Sequence, residues 1–146
     1  MSIAVKNTIK NETLGHSTKE IAQFLETHLE EYGDPLEDIL KCMDYALSSE
    51  PGKGGAIYVA EKEGEIVGAS ILNDTGMSGY IPGNILVYIA VDGEHRGEGI
   101  GKSLMNDILK HTKGDIALHV EKDNPAQKLY EKVGFEKKYV EMRLAR

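Results

Sequence analysis

The stretch from Asn84 to Val120 constrains the fold more than any other part of the chain. Ile85 to Val91 is a continuous apolar run, the pattern of a strand covered on both faces. Gly99 to about Lys110 then reads as a helix with Ile100, Leu104 and Ile108 on one side. Lys110, His111 and Lys113 favour its C-terminal end, and Gly114 can stop it. Ile116 to Val120 reads as a second buried strand. Strand, helix and strand in this order suffice for a right-handed parallel crossover. Such a pair draws ligands to the carboxyl ends of its strands, where loops and helix N-termini gather. The sequence V-D-G-E-H-R-G-E-G-I-G, from Val91 to Gly101, lies at such an end.

The remaining segments supply the elements around this unit. Ile3, Val5 and Ile9 sit at even spacing and predict a first strand. Ser17 stands three residues before Glu20, a capping box, and Ile21, Phe24, Leu25, His28 and Leu29 share one helical face. Asp34-Pro35-Leu36-Glu37 predicts a second helix capped by Asp34, with Leu36, Ile39, Leu40, Met43 and Leu47 as its stripe. Ala56 to Glu61 and Ile66 to Asn73, split by Lys-Glu-Gly, predict a hairpin. Gly68 inside it marks a bulge or a close backbone approach. Asn124-Pro125-Ala126-Gln127 opens a last helix, and Phe135 to Leu144 is expected to close the chain as a strand. The order β-α-α-β-β-β-α-β-α-β predicts a single domain over 1–146. Its fold class is α/β in the α+β sense: a mixed, mostly antiparallel sheet with one central parallel pair and helices on both faces.

Composition narrows the partners. A net charge of −7 disfavours nucleic acid, whose phosphates need a basic face. No apolar run approaches the ~20 residues of a membrane span. The first residues lack an apolar signal segment, and the single Cys42 excludes an internal disulfide or a cysteine metal cluster. A cytoplasmic protein is expected, without a metal, since no histidine–carboxylate spacing matches a metal site. Oligomeric state is not legible.

The glycine turn suits a pyrophosphate. A helix N-terminus leaves four backbone amides unbonded and carries partial positive charge. Glycines at 97, 99 and 101 keep side chains out of the way, and Lys102 adds charge against Glu94 and Glu98. A plain tight turn is the alternative for any glycine loop. The P-loop spacing fails because its first glycine would fall on Arg96, and G-x-G-x-x-G fails at Lys102 or Leu104.

What fits is R-x-x-G-x-G, from Arg96 to Gly101, followed by N-P-A-Q-K-L-Y-E-K-V-G-F from Asn124 to Phe135. This pair of motifs resembles the GNAT superfamily of acetyl-CoA-dependent N-acetyltransferases, and the order of elements agrees over nearly the whole chain. The resemblance implies acetyl-CoA as cosubstrate, with its pyrophosphate on the backbone of Gly97, Glu98, Gly99, Ile100, Gly101 and Lys102 beside Arg96. It implies a pantetheine arm paired with Ile89, Ala90 and Val91 and contacted by Asn124. Tyr130 would point at the thioester sulfur as catalytic acid. The chain departs from the family in its short ending and in having Ile85 near the position where some members carry a catalytic carboxylate.

The implied reaction is direct acetyl transfer to a primary amine of a small-molecule or peptide acceptor. It needs a neutral amine, a donor for the developing oxyanion from the Ile85–Val91 backbone, and a proton for the leaving thiolate. Tyr130 can equally be a core aromatic, and Asn124 a helix cap. Tyr88, His119, and Asn84 through water are the base candidates. His28 reads as a core residue and His95 as a solvated one. Tyr32, Tyr45 and the loop Asp74–Gly83 are expected to border the acceptor pocket. The surplus of acid at Asp34, Glu37, Asp38, Asp44 and Asp74 points to a cationic acceptor. Two rivals remain: a non-catalytic acyl-CoA-binding module and a mononucleotide-binding regulator.

Overall fold

The computed structural model describes residues 3–9 and 14–146. Its elements are β1 (Ala4–Asn7), α1 (Thr18–Leu29), α2 (Leu36–Leu47), β2 (Gly55–Lys62), β3 (Glu65–Asp74), β4 (Asn84–Val91), α3 (Ile100–His111), β5 (Ile116–Leu118) and α4 (Gln127–Lys132). The strands form one sheet in the order β1-β2-β3-β4-β5. All neighbours are antiparallel except β4 and β5, which run parallel as the crossover predicts.

Alternation along the strands builds two cores. Along β2, Ile57 and Val59 face α1 and α2, together with Ala69, Ile71, Tyr88 and Ala90. Ala56, Tyr58 and Ala60 face the other way, toward Ile100, Leu104, Met105 and Ile108 of α3 and Tyr130 of α4. The sheet is therefore covered on both faces, as expected.

Local signals hold where their partners are close in sequence. Ser17 Oγ accepts the Glu20 amide at 3.1 Å, and the Glu20 carboxylate reaches back to the Ser17 amide at 3.4 Å. The β2–β3 hairpin turns on Glu63 and Gly64, both at positive φ (54° and 81°), as a tight right-twisted hairpin requires. Gly68 combines both expectations. The β2–β3 ladder steps past Val67 beside it, and a Cβ on Gly68 would lie 2.8 Å from Ile100 Cγ2 and 2.9 Å from Leu104 Cδ1. Its missing side chain lets α3 seat on the sheet.

Three expectations are corrected. Asp34 does not cap α2: the Leu36 amide donates to the Glu26 carboxylate of α1 at 3.0 Å, and no side chain of the α2 entry caps it. β5 is short and only half-buried, not a strand sealed on both faces. The closing strand is absent: residues 136–146 are assigned neither helix nor strand and are exposed throughout. With nothing laid against β5, the parallel pair lies at the edge of the sheet among the described residues.

Candidate functional site

β4 is paired with β3 from Asn84 to Val91, but with β5 only at Asn84, Ile85 and Leu86. From Val87 onward its outer edge carries no strand among the described residues, so half of its backbone polar groups there are open. The ladder with β3 also steps from Leu72–Leu86 to Ile71–Tyr88, leaving Val87 as an extra residue. This bulge re-aims the side chains beyond it. Tyr88 and Ala90 join the α1–α2 core, whereas Ile89 and Val91 join the α3–α4 core.

The open edge leads, through Asp92 and a 3-10 turn at Gly93–His95, to the glycine turn. Gly97 and Gly99 both have φ of +83°, and nothing lies within 4 Å of where a Cβ would stand. Both needs, left-handed backbone and clear space, select glycine. Gly99 caps α3, and its carbonyl accepts the Ser103 amide at 3.0 Å. The amides of Ile100, Gly101 and Lys102 thus have no intrahelical acceptor. Gly101 has a different reason: a Cβ there would meet Leu129 Cδ2 at 3.1 Å and Val91 Cγ2 at 3.7 Å. It lets α4 approach the start of α3.

Charges around the turn are already arranged. Glu98, which would oppose an anion, is drawn aside by Lys62 Nζ at 3.1 Å and by His95 Nδ1 at 3.1 Å. The Lys62 ammonium, then His95, hold its carboxyl below the ordinary range. Arg96 is bonded to the end of α1. Its Nη2 donates to the His28 carbonyl and to Glu30 Oε1, both at 3.1 Å. His28 Nδ1 in turn accepts the Gly93 amide at 3.2 Å. His28 is therefore satisfied by the loop ahead of the glycine turn, and Arg96 and His28 together tie the end of α1 to that loop.

On the α3–α4 face Tyr130 is 9% exposed and packs edge-on against Phe135, with ring centroids 6.0 Å apart. Burial pushes its phenol up to about 12, so it is protonated at neutral pH. α4 begins three residues later than its capping signal. Asn124 Oδ1 accepts the Ala126 amide at 2.9 Å, which fixes the turn ahead of the helix. The asparagine amide group is not consumed by that bond.

The α1–α2 face presents a different group. The Tyr88 hydroxyl donates to Asp34 Oδ2 at 2.5 Å. Burial, then the Asp34 carboxylate, raises the Tyr88 phenol far above its ordinary range, which suits a donor and not a base. Cys42 lies alongside: its Sγ accepts from Asn73 Nδ2 at 3.4 Å, and burial pushes its thiol up to about 11. Asn73 Oδ1 is buried there without a hydrogen-bond partner among the described residues. Sequence reading treats Asp34 as a cap; its partner Tyr88 stands 54 residues away, and no local signal links them.

Other candidates are dispersed. Asn84 begins β4, roughly 23 Å along the strand from Val91, and its amide is spent on the carbonyls of Lys113 and Asp115. His119 follows β5 and is exposed. Tyr32 reaches the Asp123 carbonyl at 3.3 Å and so bridges the α1–α2 connection to the approach of α4. Tyr45 instead binds the carbonyls of Gly52 and Asp74 at the opposite end of the sheet. The loop after Asp74 leads into the start of β4, so it too lies at that far end. Among the described residues no group of three or more histidine, cysteine, aspartate or glutamate side chains could hold a metal ion, and no helix is long and apolar enough to cross a membrane.

Comparison with known proteins agrees with this geometry. The Acetyltransferase (GNAT) domain family matches residues 53–137, more than half of the chain. A 5-NmdU N-acetyltransferase of Pseudomonas phage PaMx11 is 36% identical over 83 residues, which cover 56% of this chain and 57% of that protein. The chain thus matches little more than half the length of that relative. Among solved structures, a possible acetyltransferase from Clostridium difficile 630 superposes with a TM-score of 0.68 at 22% identity, covering 99% of this chain and 97% of the other. The aminoglycoside N-acetyltransferase AAC(6')-Iy in complex with CoA superposes with a TM-score of 0.69 at 17% identity, covering 99% and 95%. At those identities the two structures speak for the fold alone. The family match, together with this fold of the described residues, establishes that the protein belongs to the GNAT acetyltransferase family.

Proposed function

We propose that the protein transfers the acetyl group of acetyl-CoA directly to a primary amine of a small cationic acceptor. The observation that carries this reading is the β4 edge at Ile89, Ala90 and Val91, unpaired among the described residues, which leads through the 3-10 turn Gly93–His95 to the clear, left-handed turn at Gly97 and Gly99. The edge offers strand-like pairing to a pantetheine arm, and the turn offers the backbone from Gly97 to Lys102 to a pyrophosphate. Asn124 would contact the arm through its free amide. In this arrangement Arg96 acts by holding the turn to α1 rather than by touching phosphate.

Acetyl-CoA supplies a thioester whose carbonyl carbon accepts the amine nitrogen while the carbon–sulfur bond breaks. The Val87 amide, at the register step between β3 and β4, donates to the developing oxyanion. Tyr130, protonated and on the α3–α4 face, donates toward the leaving sulfur. Asp34 and Tyr88 lie across the sheet, on the α1–α2 face. One Asp34 oxygen takes the Tyr88 hydrogen bond, and the other is available to an acceptor ammonium. The two substrates therefore approach β4 from opposite faces. The amine must lose a proton before attack, and in this reading a water on the second Asp34 oxygen carries it away.

The test is CoA-thiol release from acetyl-CoA across polyamines, aminoglycosides, amino acids, peptide N-termini and 5-NmdU, the substrate in the phage relative's name. Release with at least one primary amine, and none with its N-acetylated form, is expected. Tight acetyl-CoA binding without release on any amine would favour the non-catalytic binding module. ATP displacing CoA competitively would revive the mononucleotide reading.

A further inference from the structure

The segment from Asp92 to Arg96 joins the open edge of β4 to the glycine turn, so its conformation decides where the turn stands relative to that edge. Gly93, Glu94 and Arg96 are exposed, and a segment with so little packing is held by its hydrogen bonds. The Asp92 amide continues the sheet to the Val67 carbonyl at 2.9 Å. Asp92 Oδ1 accepts the Glu94 amide and the Asp92 carbonyl accepts the His95 amide, both at 2.9 Å. The Gly93 amide instead crosses to α1 and donates to His28 Nδ1 at 3.2 Å.

That bond fixes the tautomer of His28. A ring nitrogen that accepts an amide must carry a lone pair, so Nδ1 is bare and the ring proton sits on Nε2. Asp92 Oδ2 stands 3.9 Å from Nε2, on the side where the proton belongs. Phe24 backs the imidazole, with ring centroids 4.5 Å apart. The other tie between α1 and this segment does not titrate, because it is made by the guanidinium of Arg96 to the His28 carbonyl and Glu30 Oε1. Glu30 has φ of +56°, a conformation that a residue other than glycine keeps only where its surroundings impose it. The remaining titratable groups facing His28 are His16, Glu20 and Glu65, which line the same groove from the segment before α1, from α1 and from β3.

A second proton on His28 turns Nδ1 from an acceptor into a donor. The Gly93 amide then faces an N–H group, and Arg96 alone is left to tie the segment to α1.

We infer that His28 is a positioning residue for the glycine turn: as the neutral Nε2–H tautomer it holds Gly93 and thereby presets the backbone from Gly97 to Lys102 for the pyrophosphate of CoA. This role rests on the acetyl-CoA reading above. The competent ring is the unprotonated one, so CoA affinity is complete at high pH and falls as pH drops through the imidazole range, near ~6.5 for an unperturbed histidine. A preset segment lowers the ordering cost of binding. The expected loss is roughly 3- to 10-fold in affinity, the range that one hydrogen bond commands.

The experiment is calorimetry of CoA binding at about pH 8 and about pH 5.5, on either side of the imidazole range, for the wild type, His28→Ala and His28→Asn. The Asn side chain keeps an acceptor oxygen near the Nδ1 position and cannot titrate. Protons taken up by the CoA phosphates, or by His95 beside Glu98, are common to all three proteins and cancel in the ratios. The wild type should bind more tightly than His28→Ala at the higher pH and converge on it at the lower, whereas His28→Asn should keep its advantage over His28→Ala at both. Nitrogen-15 NMR of the ligand-free wild type, which needs no variant, should show Nδ1 unprotonated at the higher pH and the Gly93 amide resonance moving as the His28 ring titrates. A wild-type to His28→Ala ratio that is the same at both pH values overturns the role, as does a His28→Asn variant no tighter than His28→Ala, or a Gly93 amide that ignores the ring. A wild type that binds no CoA at either pH is a distinct result: it overturns the acetyl-CoA reading itself and takes this role with it.

Discussion

Replacing Tyr130 by Phe isolates one proton. The ring keeps its place against Phe135, and the hydroxyl makes no hydrogen bond to a described residue. Folding stability should therefore move by less than about 0.5 kcal/mol, which for a chain of this size is under about 2 °C in Tm. The catalytic loss comes from acidity. The Tyr130 phenol is pushed up to about 12 by burial, whereas a thiol titrates near ~8.5. Complete proton transfer to the leaving thiolate would be uphill by roughly 3.5 units, or roughly 5 kcal/mol. Tyr130 therefore acts mainly through a hydrogen bond to charge developing on sulfur. Such a bond contributes about 1.5–3 kcal/mol, so kcat should fall roughly 10- to 150-fold. The assay is thiol release at saturating acetyl-CoA, with single-turnover rates to establish that chemistry limits kcat and calorimetry for acetyl-CoA affinity. Unchanged kcat under those conditions would return Tyr130 to packing. A loss near ~10⁴-fold, the upper range for general acids, would show that full proton transfer occurs and that the hydrogen-bond argument is wrong.

The same geometry sets further expectations. Gly99→Ala tests backbone strain at φ +83° and should cost about 1–2 kcal/mol of stability, whereas Gly99→Glu should in addition abolish CoA binding; equal CoA affinity in both variants, measured by calorimetry, would remove the phosphate from this turn. Asp34→Asn should lower kcat/KM more for a dication than for a matched monocation, and the wild-type preference should shrink as salt screens it; the same kcat/KM for both acceptors at every ionic strength would make Asp34 a structural partner of Tyr88. At His16, burial opposes the charge, but bonds to Glu20 and Glu61 outweigh it and raise the pKa above 6.5. That contribution is complete below pH 6.5 and lost as pH rises through the folded value, so the Tm deficit of His16→Gln should be larger at about pH 6 than at about pH 9, and a deficit independent of pH would refute it. Gly68→Ala pushes a methyl into Ile100 and Leu104 at 2.8 and 2.9 Å; overpacking of about 1–3 kcal/mol should lower Tm and, by shifting the start of α3, weaken CoA binding, whereas a Tm equal to wild type would mean that α3 yields freely.

What the sequence alone determined is what neighbouring residues decide between themselves. The Ser17–Glu20 box, the Glu63–Gly64 hairpin and the Asn84–Val120 crossover need no distant partner, and each is legible in a window of a few residues to one supersecondary unit. The glycines at 97 and 99 were legible for the same reason, because a left-handed turn ahead of a helix is a local demand. Tertiary structure decided the rest. Asp34 could leave its capping role only because Glu26, brought over by α1, takes the Leu36 amide. It then meets Tyr88, which the Val87 bulge has turned onto the α1–α2 face. The motif places Arg96 beside the pyrophosphate, and the fold adds what no motif shows, a bond from its guanidinium to Glu30 at the end of α1, 66 residues earlier. Val140, Met142 and Leu144 alternate with the period of a strand, yet no strand forms there, because a strand exists only where another edge accepts its hydrogen bonds. Periodicity is a property of one segment; pairing is a property of two, and only the folded chain says which two meet.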